Sequence, residues 1–256
     1  MATVAALLGN RPAVTALRRS LPRGGPALTA CRSLKGVVEL LSSRLVEAVV
    51  ASPRTLPPGE IQQFRRAFPG IPLLLFAPFR PDDGDQLLAA EAAGVSAIAV
   101  EGVDDAVVGD IVHHHSLTAE RRAALKEAPR VLRLTEPLQV RVWDLLLAAV
   151  DQPVRTAQLA RRLAVSREHL SRQFGAGGAP NLKRVIDLTR IVCAAQLLVN
   201  AGYEVGTVAR LLCFASSSHL SDTARRICGH SAGMLGSLGP RGVLSGFTRG
   251  KTRSRV

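Results

Sequence analysis

Short apolar runs alternate with amphipathic stretches over the first 115 residues. Between the runs, apolar residues recur at helical spacing. The last predicted helix can start at Asp104 or Asp105 and reaches about His115. The fourth run, IPLLLF, has no charged or polar side chain, which is typical of a strand covered on both faces. The five apolar runs lie at 3–8, 27–31, 45–50, 71–76 and 95–100. Five strands alternating with five helices predict a parallel sheet with helices on both sides.

From residue 136 onward the apolar residues keep helical spacing. Two short predicted helices, Thr156–Ala164 and Arg167–Phe174, are separated only by a tight turn, and Ser166 can cap the second. A second pair, at 205–212 and 216–227, follows a long predicted helix at 182–199, and another helix at 136–150 precedes them all. Two short helices across a tight turn form a helix-turn-helix, whose second helix fits the DNA major groove. The pattern predicts an all-α domain with two such units.

Nine side chains on the two second helices are candidate DNA-binding residues. Phosphates repel a carboxylate such as Asp222 of the second unit unless it accepts from a cytosine amine. We therefore expect the first unit to read bases and the second to hold the phosphate backbone through Ser217, Ser218, Arg225 and Arg226. An ordinary helix pair with a solvated charged face is the plainer alternative. The candidates are Arg167, Glu168, Ser171 and Arg172 in the first unit, and Ser217, Ser218, Asp222, Arg225 and Arg226 in the second.

The net charge of +13 is unevenly distributed along the chain. Residues 1–130 hold 15 Lys/Arg and 13 Asp/Glu, a net charge of +2, whereas residues 131–256 hold 18 and 7, a net charge of +11. This asymmetry favours a polyanion as the partner of the helical half. A membrane surface is the weaker alternative, because no helix pairs a wide apolar face with a lysine-rich one. No apolar run approaches the roughly 18 to 20 residues of a membrane helix.

The first 115 residues resemble a response-regulator receiver domain. The motifs FPGIPLLLFAPF and AAEAAGVSAIAVEGVDD carry the likeness. The resemblance implies a phospho-acceptor Asp after the third strand, an acidic pair after the first, a Ser or Thr after the fourth and a Lys after the fifth. Phosphoryl transfer needs carboxylates that hold the metal ion, so we predict a receiver-like shell that is not phosphorylated and serves in docking, dimerisation or ligand sensing. The residues found at these positions are Ser52, Asn10, Ala77 and Glu101.

The helical half resembles the DNA-binding domain of AraC/XylS transcriptional regulators over about residues 136–235. The segments LARRLAVSREHLSRQF, LTRIVCAAQLL and VARLLCFASSSHLSDTARRICGHSAGML carry this likeness. The second unit departs from the family. Cys213 stands where a turn glycine is usual and resists positive φ, so we expect a distorted turn there. The other departures are Leu220 and Ala224 for aromatics, Asp222 for a DNA-facing Arg or Asn, and Ala232 for Pro.

We expect four segments: a receiver-like domain at 1–115, a linker at 116–135, an AraC-type domain at 136–237 and a basic flexible tail at 238–256. The three histidines 113–115 could suggest a metal, but consecutive imidazoles cannot share one helical face, so no metal or cofactor is expected. Cysteines without a CxxC pair suit a reducing cytoplasm. Six basic residues precede Glu39, the first acidic one, which resembles a transit peptide, although the same stretch has the pattern of strand, helix, strand.

These observations predict a non-enzymatic, cytoplasmic, bacterial transcription regulator that binds double-stranded DNA sequence-specifically. A homodimer, and an effector or protein partner that the sequence does not identify, are further expectations. The alternative is a protein–protein adaptor whose helix-turn-helix units no longer read DNA. An α/β enzyme with a basic appendage would need a catalytic constellation, and none is apparent. Salt-dependent binding to duplex DNA separates the regulator from the adaptor.

Overall fold

The computed structural model describes residues 2–149, 154 and 156–253. The chain divides into two compact units, one formed by Met1–Glu120 with Asn200–Tyr203, and the other by Arg121–Val199 with Glu204–Val256. The predicted helix end at Val150 and the last tail residues, 254–256, lie outside the described residues. No described helix is both long enough and apolar enough to cross a membrane.

The first unit is a parallel five-stranded sheet with strand order β2-β1-β3-β4-β5. This is the flavodoxin-like, doubly wound order that receivers share, and it confirms the predicted fold class. The strands are β1 (Thr3–Leu7), β2 (Ala27–Ala30), β3 (Val46–Ala51), β4 (Leu73–Ala77) and β5 (Ala97–Val100). The helices are α1 (Arg11–Ser20), α2 (Leu34–Ser43), α3 (Pro58–Ala67), α4 (Gly84–Ala92) and α5 (Val108–His114).

The three central strands of the sheet are buried along their whole length. On one face, residues such as Val50, Leu74 and Phe76 pack against Leu17 of α1 and Val112 of α5. Burial on both faces explains why β4 shows no alternation of polar and apolar residues. The edge strands β2 and β5 are partly exposed.

The beginning of α5 differs from the sequence prediction. Asp104 Oδ2 accepts from the backbone N–H of Val100 at 2.7 Å, and Asp105 Oδ1 accepts from that of Gly102 at 2.8 Å. The two carboxylates therefore close the turn after β5 and do not cap the helix, which begins only at Val108. Near its beginning, α5 contacts the end of α1 at Gly109, whose N–H donates to Ser20 Oγ at 3.0 Å.

The second unit is helical throughout its described part, as predicted. Its long helix is the centre of the unit, because 13 of the 17 residues of α11 are buried. The helices are α6 (Leu117–Ala124), which begins within the first unit, then α7 (Ala128–Val131), α8 (Pro137–Ala148), α9 (Thr156–Arg162), α10 (Arg167–Phe174), α11 (Leu182–Leu198), α12 (Val205–Leu211), α13 (Ser217–Cys228) and α14 (Leu235–Arg253).

The segment predicted as a linker is folded into helices α6 and α7. Arg121 of α6 is fully buried. Its Nε donates to Gln196 Oε1 of α11 at 3.1 Å, and its Nη1 donates to the carbonyl of Leu147 in the last turn of α8. A cation at a helix C-terminus also interacts favourably with the helix dipole. Arg121 thus joins three helices of the second unit.

The prediction of a flexible basic tail is wrong as far as Arg253, because α14 is a helix that packs on the rest of the second unit. It contains a break at Gly239 (φ 60°, ψ 179°), followed by Pro240. Beyond the break, Val243 and Phe247 are fully buried, and the guanidinium of Arg184 from α11 lies 4.9 Å from the centre of the Phe247 ring. Two apolar residues at i and i+4 therefore outweigh the glycine-rich, charged composition.

Candidate nucleic-acid interface

Two helix pairs, α9–α10 and α12–α13, are joined by turns with the same hydrogen bonds. In the first turn, Ala164 N–H donates to Arg161 O and Val165 N–H donates to Ala160 O. In the second, the N–H groups of residues 213 and 214 donate to the carbonyls of residues 210 and 209. Both patterns are the paired bonds of a Schellman helix end.

The residue that turns the chain is not a glycine in either pair. Ala164 has φ 54° and Cys213 has φ 58°, both in the left-handed region. A side chain there costs roughly 1 to 2 kcal/mol relative to a right-handed conformation. The distortion expected at Cys213 is absent, since the thiol-bearing residue adopts the same conformation and bonds as Ala164.

Both second helices begin with a serine cap. Ser166 Oγ accepts from the N–H of His169 at 3.1 Å, which confirms the sequence prediction, and Ser216 Oγ accepts from that of His219 at 3.0 Å. Such caps satisfy amide groups that the first helical turn leaves unpaired. The two helices therefore start in the same way, and positions along them can be compared by counting from the caps.

All nine candidate DNA-binding side chains are solvent-exposed. The apolar stripes beneath them are buried, including Leu170 and Phe174 on α10 and Leu220 and Ala224 on α13. Leu220 and Ala224 thus occupy core positions although they are smaller than the aromatics that the family resemblance implies. Each helix has one face committed to packing and one face available to a partner.

The arginines of the two helices differ in their ion pairs. Arg167 and Arg172 of α10 form none with any other described residue. On α13, Arg225 Nη1 lies 3.0 Å from Asp222 Oδ1. Arg226 Nη2 lies 2.8 Å from Asp187 Oδ2 of α11. The arginines that we expected to clamp phosphates are thus held by carboxylates, whereas those of α10 are available.

The family comparison covers both helix pairs. Residues 159–235 match the family model described as "Helix-turn-helix domain". The matched segment runs from α9 to the first residue of α14 and includes α11, in agreement with the AraC-type resemblance of this half.

Solved structures that are similar over most of their length are response regulators. Full-length FixJ from B. japonicum is 16% identical and covers 91% of this chain and 98% of its own, with a TM-score of 0.37. The response regulator StyR is 16% identical over 72% of this chain and 96% of its own, also with a TM-score of 0.37. RcsB from Salmonella typhimurium is 13% identical and covers 73% of this chain and 98% of its own, with a TM-score of 0.34. No curated protein sequence matches the chain significantly. The receiver-like fold rests on the strand order of the sheet, β2-β1-β3-β4-β5, and not on these comparisons.

Gln139 of α8 supports α10, the second helix of the first helix pair. It is fully buried. Its Nε2 donates to the carbonyl of Phe174 at 2.9 Å, and the carbonyls of Gln173 and Ala176 lie 3.3 and 3.2 Å from the same nitrogen. Its Oε1 accepts from the N–H of Glu136. Gln139 therefore caps the carbonyl end of α10. Sequence reasoning missed it, although a polar residue within the apolar pattern of α8 is the signal that could have revealed it.

Arg190 and Asp187 of α11 support the second helix pair, α12–α13. Arg190 Nη2 donates to the carbonyl of Leu212 at 2.8 Å, and its guanidinium lies 3.8 Å from the centre of the Phe214 ring. Burial lowers the pKa of Arg190, and the negative charge of the Asp187 carboxylate opposes that effect. The turn and α13 are thus both fixed to α11. Sequence reasoning missed these two residues as well.

The carboxyl edge of the sheet, where a receiver would bind metal and phosphate, carries a hydrogen-bonded polar set. Asn10 Nδ2 donates to Glu101 Oε2 at 3.1 Å, so two of the four predicted positions meet. Ser52 Oγ lies 3.0 Å from Thr55 Oγ1, which also donates to the carbonyl of Leu7. Thr55 was not predicted. Ala77 is buried and contributes no polar group.

Metal binding has no visible support in the described part of the chain. It contains no group of three or more His, Cys, Asp or Glu side chains that could hold an ion. The rings of His114 and His115 stack edge to face with centres 5.2 Å apart. Burial, and then the neighbouring His114, lower the pKa of His115.

Proposed function

We propose that the protein is a sequence-specific, DNA-binding transcription regulator that uses two helix-turn-helix units. The observation that carries this proposal is the exposed face of α10, where Arg167 and Arg172 are free of ion pairs with described residues. Arginine can donate two hydrogen bonds to guanine and can also neutralise phosphates. The net charge of +11 on residues 131–256 supplies the general attraction to a polyanion. A cytoplasmic location in a bacterium is part of the proposal.

Duplex binding by the full chain tests this function directly. Fluorescence anisotropy with a labelled random-sequence duplex should show binding at low salt and a steep loss of affinity between about 50 and 200 mM salt, because phosphate contacts release counterions. A chain that does not bind the duplex at about 50 mM salt contradicts the proposal and supports the adaptor alternative.

Arg172→Ala should weaken binding to a selected operator by roughly 1 to 3 kcal/mol and relax the preference at one base pair. The reason is the loss of a bidentate contact to guanine from an exposed side chain on α10. The operator is first obtained by repeated selection from random duplexes, and affinities are then compared for all substitutions at each position. Arg122→Ala, which removes an exposed arginine outside both helix pairs, is the control. Equal losses on operator and random DNA would show that Arg172 contacts only phosphate.

We propose that the receiver-like unit regulates by docking and not by phosphorylation. Asn10, Ser52, Ala77 and Glu101 stand where the phosphoryl chemistry needs carboxylates, a hydroxyl and a lysine. Incubation with acetyl phosphate and Mg²⁺ should leave both the intact mass and the DNA affinity unchanged. A stable mass increase of one phosphoryl group on an aspartate would overturn this part of the proposal.

Exposed apolar side chains in the same unit support the proposed homodimer. Leu88 of α4 is 66% exposed, Ile98 of β5 is 41% exposed, and Val103, between β5 and α5, is 77% exposed. Exposed apolar side chains favour protein contact, and a two-fold dimer would suit two DNA half-sites. Sedimentation equilibrium of the wild type and Leu88→Glu measures this, with a weaker dimer expected for the variant. A wild-type chain that sediments as a monomer excludes the dimer.

A further inference from the structure

The second recognition helix carries its exposed charges as an internal pair. On α13, Arg225 donates to Asp222 at 3.0 Å, and the two side chains are 61% and 72% exposed. The other arginine of this helix, Arg226, is bound to Asp187, whose side chain is only 12% exposed. The charge of each arginine is therefore already neutralised by a carboxylate before it meets a phosphate.

The first recognition helix has the opposite arrangement at the equivalent position. Counted from the serine caps Ser166 and Ser216, Arg172 and Asp222 both stand six residues further on. Each lies on the exposed face of its helix. At this position the chain thus places an available cation in one unit and, in the other unit, an anion that binds the next arginine along the helix.

We infer that Asp222 withholds Arg225 from the phosphate backbone, so that the second unit contributes sequence discrimination and little general affinity for DNA. This inference rests on the proposed DNA-binding function. A closed Asp222–Arg225 pair has no net charge to exchange for counterions, whereas a free arginine has. Base edges can replace the internal contact, because a carboxylate accepts from the cytosine N4 amine and arginine donates to guanine O6 and N7. The pair therefore opens at a C·G base pair and stays closed on other sequences.

Asp222→Asn in the full chain tests the inference. The substitution removes the carboxylate charge with little change of shape and releases Arg225. Each added phosphate contact steepens the dependence of log affinity on log salt by about 0.9, so the ratio of affinities at 50 and 200 mM salt should increase about 3.5-fold on random-sequence duplex. The preference for the selected operator over random duplex should fall at the same time.

Two further variants separate the release of Arg225 from a simple change in net charge. In Asp222→Asn/Arg225→Gln the gain should disappear. Glu127→Gln is the matched control, because Glu127, just before α7, and Arg130 of α7 form an exposed pair of the same i,i+3 spacing and 3.0 Å length. It should leave the salt dependence unchanged. The fluorescence of Trp143, the single tryptophan, reports whether each variant remains folded.

The outcomes distinguish this inference from the proposed function. Wild-type chain that binds duplex, with an unchanged salt dependence in Asp222→Asn, overturns the inference alone. A gain that persists in the double variant, or that Glu127→Gln reproduces, overturns it as well, since the effect would then be non-local. Wild-type chain that does not bind duplex overturns the proposed function, and the inference with it.

Discussion

Arg121→Ala should lower the free energy of unfolding of the second unit by about 3 to 5 kcal/mol. The substitution leaves a cavity where a fully buried side chain lay. It also removes the hydrogen bonds that Arg121 donates to Gln196 and to the carbonyl of Leu147. Trp143 is a suitable reporter, because it is buried on α8 one turn before Leu147 and is the single tryptophan of the chain. Urea unfolding followed by its fluorescence measures the change.

The neighbouring Arg122 provides a matched control, since it is exposed on the same helix. Arg122→Ala should change the free energy of unfolding by no more than about 0.5 kcal/mol. Arg121→Met keeps most of the volume without the hydrogen bonds and should fall between the two. Equal transitions for Arg121→Ala and Arg122→Ala would show that the buried guanidinium does not hold α6 against α8 and α11.

Gly109→Ala should destabilise the first unit by about 3 kcal/mol, although alanine is normally the better helix former by about 1 kcal/mol. A Cβ atom at Gly109 would overlap the backbone carbonyl of Ser20 and lie 2.6 Å from the backbone nitrogen of Leu21. Helices α1 and α5 would have to separate, which opens the core around Leu17 and Val112. Hydrogen–deuterium exchange should show lost protection in peptides from β1 and β4.

A second glycine in the same unit tests whether the close contact is the cause. Gly59 lies in the first turn of α3, and nothing is within 4 Å of a Cβ built there. Gly59→Ala should leave exchange in β1 and β4 unchanged or slightly slower, because it adds helix propensity without a clash. If both variants exchange alike, α1 and α5 do not meet as closely as described.

The strands and most helices could be predicted, because buried positions require apolar residues and their spacing is therefore visible in the sequence. Leu73–Ala77 lies between two layers of helices, so every position is apolar. The beginning of α5 could not be predicted in this way, since both Asp104 and Asp105 are good helix caps. Only the position of the β5 end makes them turn-closing groups. For α14, the glycines and charges dominated the composition, and the contribution of Val243 and Phe247 depends on a groove that exists only in the folded unit.

The exposed faces of the candidate interface could be predicted, but the partners of their charges could not. The stripe Leu170–Phe174 determines which way Arg172 points, and this information is local. The partner of Arg226 is Asp187, which is 39 residues away in the chain. Likewise, Gln139 reaches the end of α10 across 35 residues. Contacts of this kind depend on how the helices cross, which periodicity does not encode.

The helix α14 has a consequence for how this gene tolerates mutation. A stop codon or frameshift just after the codon for residue 238 would spare every residue of the family match and all nine candidate DNA-binding side chains. It would nevertheless remove the part of α14 that carries the buried Val243 and Phe247, and would expose to water the apolar surface of the second unit that this part covers. Such an allele should therefore behave as a loss of function through misfolding and proteolysis, although the coding region for α10 and α13 would be intact.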